Sequence, residues 1–325
     1  MAKIKLSVVC VAYNHAKFIR QTLDGFVMQK TNFAFEVIIH DDASTDGTAD
    51  IIREYAEKYP EIIKPILQTE NQYSQGKPVT QNFIWPRINS QYVAVCDGDD
   101  YWTDENKLQK QVDFLDDHPD YMLCFHPVNV FYENGQKQQH IWPKHTKDIS
   151  FKRLMRTNFI PNCAVVYRWA NMFTEKFPKK IYPGDWFVHL KHAKDGKIGF
   201  IPDVMANYRR HEAGISFADT QSRDALHKQW GIQELNFYLA VEKQIAPNPS
   251  EYHTFVCQRA REFLGVYIQA DMYDQAIEII KICPDMLSYE INMQNKKIKK
   301  YKQLIKYITI TTGIICAILT IGMII

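Results

Sequence analysis

The chain has 325 residues, 46% of them hydrophobic, with 39 Lys and Arg against 37 Asp and Glu for a formal net charge of +2. That length buries a sizeable core, and the near-neutral balance excludes the basic field on which nucleic-acid binding depends, so no nucleic-acid partner is expected. Seven cysteines, odd in number and without a Cys-x-x-Cys pair, sit mostly in apolar runs as small hydrophobes and fit a reducing compartment.

In chain order, Ile4 to Val11 is strand-like, too short and wrongly flanked for a secretory signal. Phe18, Leu23, Phe26 and Val27 recur at helical spacing, Val37 to Ile39 reads as a second strand, and Ala49 to Tyr59 as a second helix. This βαβα rhythm predicts a parallel, doubly wound sheet. Asn14 is placed to cap the first helix, and Asp46, with Thr48 nearby, to open the second. A third strand, Ile62 to Leu67, precedes a polar loop over Gln68 to Pro78 and a short helix. The apolar run Tyr92-Val93-Ala94-Val95 then ends in Cys96-Asp97-Gly98-Asp99-Asp100. Asp104 to Asp117 reads as an amphipathic helix stopped by Pro119.

Tyr121 to Tyr132 looks like paired strands, Ser150 to Thr157 like a short helix and Cys163 to Tyr167 like a strand, so a mixed-sheet second half is expected. Beyond Ser216 the pattern is helical, with Leu235, Leu239, Phe263, Tyr267, Ile277 and Ile280 as packing positions. Tyr252 to Ala270 and Tyr273 to Cys283 resemble a single helical-repeat pair. Lys296, Lys297, Lys299, Lys300, Lys302 and Lys306 then precede Tyr307 to Ile325, which carries no charge in 19 positions. At about 1.5 Å per residue that run spans roughly 28 Å, the thickness of a bilayer's hydrocarbon core. A C-terminal transmembrane helix is therefore expected, with its basic flank and the body of the chain on the cytoplasmic side.

Asp97, Asp99 and Asp100 at one strand end repel each other unless a divalent cation, a shared proton or Arg/Lys partners intervene. Oxygen ligands favour Mg²⁺ or Mn²⁺. Ligands of open α/β sheets bind outside the carboxyl ends of the strands. The second acidic strand end, His40-Asp41-Asp42-Ala43-Ser44-Thr45-Asp46-Gly47-Thr48, therefore belongs with the first. A carboxylate there can accept a hydrogen bond from a nucleobase N–H; the plainer reading is a capped turn.

Val9 to Asn14, Asp41 to Thr48 and Asp97-Gly98-Asp99-Asp100 resemble the successive signatures of family 2 glycosyltransferases with the GT-A fold. Pro183-Gly184-Asp185-Trp186, Gly196 to Pro202 and Tyr208-Arg209-Arg210-His211 to Ser216 extend the resemblance over roughly residues 4 to 217. It implies a Rossmann-like, mixed but mostly parallel sheet flanked by helices. It also implies an inverting transfer from a nucleotide-diphosphate sugar to a hydroxyl of a glycan or lipid-linked acceptor in cell-surface polysaccharide synthesis. By the same resemblance, Ala12, Tyr13, Asn14, Asp42, Asp97, Gly98 and Arg209 bind the nucleotide sugar. Asp99 and His211 hold Mn²⁺ or Mg²⁺, and Asp185 is the general base. The family often places Glu before that Asp, whereas this chain has Gly184.

The domains expected are a GT-A domain over 1–217, a helical region over 218–290, a Lys-rich segment over 291–306 and a transmembrane helix over 307–325. UDP is the preferred donor nucleotide, with dTDP and GDP open, because a carboxylate at Asp42 pairs equally with the N–H edges of uracil, thymine or guanine. Phe151 to Arg168 and Gln136 to Lys147 are the expected acceptor walls. The alternatives are an α/β nucleotidyltransferase, against which Leu6 to Asn14 lacks a phosphate-binding glycine loop, and a non-catalytic binding or scaffold protein, against which both Asp99 and Asp185 are present.

Overall fold

The computed structural model describes residues 3–135, 137–144, 148–169, 177–215, 217 and 222–287. They fall into two compact units, one running to Lys179 and resuming over Pro183–Phe217, the other made of Lys180–Tyr182 and the chain from Ala218 on.

The first unit is built on a seven-stranded sheet. Next to its middle strand, β4 (Tyr92–Val95), lies β1 (Leu6–Ala12), which pairs in parallel with β4 on one side and with β2 (Phe35–Asp41) on the other. β3 (Ile63–Leu67) extends the parallel side beyond β2. Beyond β4 lies β9 (Val166–Arg168), antiparallel to both β4 and β6 (Tyr121–Phe125), and then β10 (Lys197–Phe200) in parallel with β6. β1 is apolar without alternation because both of its faces are covered. Leu6, Val8, Cys10 and Ala12 cluster with Ile19, Leu23 and Phe26 of α1 (Ile19–Val27). Helices α2 (Thr48–Lys58) and α3 (Lys107–Asp117) bury the apolar stripes that periodicity marked, Ile52 and Tyr55 in one and Leu108, Val112 and Leu115 in the other.

A smaller four-stranded sheet is assembled from β5 (Tyr101–Trp102), β11 (Ala206–Arg210), β7 (Val128–Tyr132) and β8 (His140–Trp142), in that spatial order. The expected pairing within 121–132 is therefore corrected: β6 and β7 enter different sheets. The reason lies at His126-Pro127, where proline has no N–H to continue a ladder. α4 (Phe151–Leu154) is the expected short helix, with Ser150 accepting from the Arg153 N–H at 3.2 Å. The short helix expected before β4 is a π-helical turn, Thr80–Ile84, followed by a 3₁₀ turn, Trp85–Arg87. α5 (Gly184–Ala193) opens directly onto Asp185.

The second unit contains α6 (Arg223–Gln244), α7 (Pro249–Gln269) and α8 (Tyr273–Ile282). A Cβ on Gly231 would stand 2.9 Å from the Tyr267 hydroxyl, so glycine permits the close crossing of α6 and α7. Lys180–Tyr182 belong here because the Tyr182 ring stacks on Trp230 at 4.7 Å and its N–H donates to Gln233 O at 3.2 Å. Leu235, Phe263 and Tyr267 are buried as expected; on α8 it is Ala276 and Ile279, each one position before the expected Ile277 and Ile280, that are fully covered.

The expected membrane anchor and the cytoplasmic placement deduced from it are corrected. No helix among the described residues is long and apolar enough to cross a membrane, and the segments at 291–306 and 307–325 lie outside the described residues.

Trp102 ties the two sheets together. It is buried, stands edge-on to Phe26 at 4.8 Å and donates its indole N–H to Cys163 O at 2.9 Å. Trp102→Phe keeps the ring contact but strands that carbonyl, so urea unfolding is expected to show a loss of about 1–3 kcal/mol.

Candidate functional site

The carboxyl ends of β1, β2 and β4 are joined by main-chain bonds that continue past the strands. Ala12 O accepts from the Asp42 N–H at 3.0 Å, and Val11 O accepts from the Gly98 N–H at 2.9 Å. The loop after β1 is then stitched to the loop after β2. Asn14 N–H donates to Ser44 Oγ, His15 N–H to Thr48 Oγ1 and Ala16 N–H to Asp46 Oδ2, at 2.8, 2.8 and 2.9 Å. Asn14 does not cap α1. Its φ is 55° and its Oδ1 accepts from the Thr45 N–H at 2.9 Å, while α1 starts only at Ile19 and without a side-chain cap. Asp46 does serve the start of α2, accepting from the Thr48 N–H at 3.0 Å and from its hydroxyl at 2.6 Å. Ala12 is buried, and Tyr13 is left exposed.

The turn at 97–100 separates its carboxylates into three environments. Asp97 accepts from Asn162 Nδ2 at 3.0 Å; burial, then the charge of Asp99, pushes its pKa up to about 7. Asp100 accepts from the Arg209 N–H at 2.8 Å, and burial followed by the Asp99 charge raises its pKa well above the carboxylate range. Asp99 is the member kept ionised. Burial opposes its charge, yet the hydrogen bond to His211 and the neighbouring His15 and His211 hold its pKa below the ordinary value. The His211 Nε2 to Asp99 Oδ2 distance is 3.0 Å.

His15 was not among the residues singled out in the sequence, and the structure places it at this point. Ligand atoms of His15, Asp99 and His211 all lie within 4.8 Å of one another. Burial lowers the His15 pKa against the opposing pull of Asp99. One carboxylate and two imidazoles form a donor set that fits a divalent cation. Gly98 makes the approach possible: an added Cβ would lie 2.9 Å from His15 Nδ1 and 3.0 Å from Ala12 Cβ and Ile19 Cδ1.

Arg209 is buried and its guanidinium is engaged inside the protein. It donates through Nε to Asp99 O at 2.8 Å, through Nη1 to Glu133 at 2.6 Å and through Nη2 to Gln21 at 2.5 Å, between the rings of Phe18 and Phe131. The structure thus makes it a clamp on the acidic turn, with Glu133 and Gln21 as partners the sequence did not mark. Asp42 is likewise engaged: its carboxylate accepts from the N–H groups of Gln72 and Tyr73 at 2.8 and 3.0 Å, which fastens the polar loop to the end of β2.

Asp185 sits in the first turn of α5 and accepts from the Trp186 N–H at 2.8 Å. Burial raises its pKa against that bond. It lines a cavity together with Asp97, Asn162, Tyr167, Trp85 and Trp169, floored by Val9 and Val11 of β1 and Val93 and Val95 of β4. The structure therefore brings Asp97 and Asp185 to one cavity. Within the expected acceptor walls, Asn162 and Tyr167 line it; residues 136 and 145–147 of the other wall lie outside the described residues.

The first unit is thus an open α/β sheet carrying an acidic turn, a histidine-flanked carboxylate and, at a cavity, a second carboxylate. The sequence matches the model of glycosyl transferase family 2 over residues 7–212, and the chain belongs to that family. It is 45% identical over 211 residues to an uncharacterized protein of Mycobacterium tuberculosis, covering 65% of this chain and 60% of that relative. The chain thus spans about 60% of the length of such relatives. It is 32% identical over 111 residues to a UDP-Glc:α-D-GlcNAc-diphosphoundecaprenol β-1,3-glucosyltransferase of Escherichia coli, covering 34% of this chain and 41% of that one. Among solved structures it shares its fold with a mannosyltransferase of Pyrobaculum calidifontis in complex with GDP-Man and Mn²⁺, at a TM-score of 0.54 and 16% identity, covering 95% of this chain and 81% of that one. It likewise shares the fold of S. aureus TarS in complex with UDP-GlcNAc, at 0.51 and 17%, covering 90% and 93%.

The raised pKa of Asp97 gives a sign for stability against pH. Its folded value of about 7 lies above an unfolded value near 3.9, so the native state binds the extra proton between them. That contribution is complete below about pH 4 and is lost as pH rises through 7. Asp97→Asn removes the titration, and chemical denaturation from pH 4 to 8 in EDTA is expected to show a smaller decline than the wild-type chain.

Proposed function

We propose that this chain moves a sugar from a nucleotide-diphosphate sugar, with UDP the preferred nucleotide, to a hydroxyl of a glycan or lipid-linked acceptor in polysaccharide synthesis, with inversion. The observation that carries this reading is the placement of Asp97 and Asp185 on one cavity, with Asp99 held by His211 on the same turn as Asp97. Support for a glycosyl donor and a lipid-linked acceptor comes from the named activity of the E. coli relative. Support for a divalent cation comes from the Pyrobaculum enzyme's complex with GDP-Man and Mn²⁺.

In this reading Asp99 and His211 hold Mn²⁺ or Mg²⁺. When bound, such an ion stabilises the charge accumulating on a departing diphosphate as a Lewis acid, with no proton required. Asp185 accepts the proton of the acceptor hydroxyl as its oxygen attacks the anomeric carbon from the face opposite the nucleotide. Burial makes Asp185 a stronger base than an exposed carboxylate. Arg209 acts at one remove, by fixing the main chain of Asp99. Asp42 shapes the end of β2 through its grip on Gln72 and Tyr73, and the remaining lone pairs of its carboxylate are the contact offered to a nucleobase N–H. Trp85, Tyr167 and Trp169 give the cavity flat apolar walls of the kind a sugar ring packs against.

The reading is tested by incubating the purified protein and Mn²⁺ with a panel of nucleotide sugars and following release of nucleoside diphosphate. Release from one donor, abolished by EDTA and by Asp99→Ala, is expected. No release from any donor, together with no calorimetric binding of UDP, GDP or dTDP, overturns it in favour of a non-catalytic protein.

A second prediction concerns the base. Asp185→Asn is expected to lower kcat about 10²- to 10⁴-fold and to remove the acid limb of the pH–rate profile. Because burial raises the pKa of Asp185, that limb in the wild type lies above the range of an exposed Asp, and activity rises with pH through it.

A further inference from the structure

We propose that His15 is a protein ligand of the divalent cation, completing a His15–Asp99–His211 set whose two imidazoles select Mn²⁺ or another transition ion over Mg²⁺. The inference rests on the reading that Asp99 and His211 hold a metal, and it adds a residue that no sequence signature marked.

Four observations carry it. The ligand atoms of the three side chains lie within 4.8 Å of one another. Two donors at about 2.2 Å from one cation lie about 3.1 Å apart when cis and about 4.4 Å apart when trans, so the set closes with side-chain shifts of about 2 Å or less. The rings of His15 and His211 meet edge to face, at 6.2 Å and 88°, with Phe18 packed against both. His15 Nδ1 is buried with no hydrogen-bond partner, an arrangement that costs free energy until another group engages the ring. The main chain of His15 is pinned independently of its side chain: its N–H donates to Thr48 Oγ1, and its carbonyl accepts from the N–H groups of Phe18 and Ile19, each at 2.8 Å. The backbone thus delivers the imidazole to Asp99 whether or not metal is bound, and Gly98 is the residue whose missing side chain leaves it room.

The donor set sets the preference. Mg²⁺ takes oxygen ligands and keeps its water, whereas imidazole suits first-row transition ions. A site with Asp99 and a single histidine accommodates either ion, and a second histidine moves the balance toward Mn²⁺.

The test uses Mn²⁺ itself as the probe, read by electron paramagnetic resonance in the full chain with UDP present, and compares the wild type with His15→Ala, His15→Asp, His211→Ala and Asp99→Ala. His15→Ala is expected to weaken Mn²⁺ binding about tenfold or more. The nitrogen couplings in pulsed spectra are expected to fall from two imidazoles to one. His15→Asp is expected to restore binding while narrowing the preference for Mn²⁺ over Mg²⁺, as measured by competition, and it also serves if the alanine variant folds poorly. Unchanged Mn²⁺ affinity and unchanged nitrogen couplings in His15→Ala, with binding lost in Asp99→Ala, overturn the proposal and leave His15 a packing residue. Absence of Mn²⁺ binding by the wild type, with UDP or GDP, overturns the metal reading of Asp99 and His211 as well.

Discussion

The structure depends on keeping three carboxylates, Asp97, Asp99 and Asp100, within four residues at the buried end of a central strand. Unrelieved, their mutual repulsion in a low-dielectric setting would unfold the turn. The protein gives each a different solution. Asp97 is left prone to hold a proton beside the amide of Asn162, Asp99 is kept ionised by His211, and Asp100 is satisfied by the main-chain N–H of Arg209. The three therefore titrate in different directions, Asp97 and Asp100 upward and Asp99 downward, and Asp99 is the one proposed as the cation ligand.

Those solutions come from far away in the chain. Asn162 precedes the antiparallel strand β9, Arg209 and His211 come from the end of β11, and Thr22 of α1 donates to the carbonyls of Gly98 and Asp100 at 3.0 and 2.6 Å. The small sheet has its role here. By pairing β11 with β5 in antiparallel and with β7 in parallel, it carries the Tyr208-Arg209-Arg210-His211 segment back to the acidic turn. Glu133, just beyond β7, then holds the outer side of the Arg209 guanidinium. The second sheet is thus the frame that returns a distant arginine and histidine to Asp99.

Local pattern was enough to read the parallel core, because unalternating apolar strands and amphipathic helices announce themselves within a few residues. It was enough also for the acidic strand ends, since the turn chemistry and the carboxylates are contiguous. What it could not read was the choice of partner. β6 and β7 each look like a strand, and His126-Pro127 marks a break between them without saying which sheet each one joins. Asn14 has the composition of a helix cap, but its φ of 55° turns the amide toward Thr45, across the gap to the next loop. Arg209 reads as a phosphate contact, and its three internal acceptors could not be seen in the sequence. His15 had one available signal, its place directly after the first signature segment, where β1 delivers it to the same strand end as the aspartates. A histidine so placed is not informative until the spacing to His211, 196 residues later in the chain, is closed by the fold.

The base side of the cavity shows how one substitution shifts the balance of the site. Where the family often has a glutamate, this chain has Gly184, whose missing Cβ leaves open space with nothing within 4 Å. A carboxylate there would add a second negative charge beside Asp185 and raise its pKa by repulsion. Without it, two opposed effects set the basicity of Asp185. Burial favours the protonated form, whereas the N-terminus of α5 and the Trp186 N–H favour the ionised one. Burial is the larger, so the pKa stays raised by desolvation alone. The room that the glutamate would have filled remains on the wall of the cavity, next to Asp185, the proposed base. The same glycine therefore simplifies the electrostatics of the base and widens the approach to it.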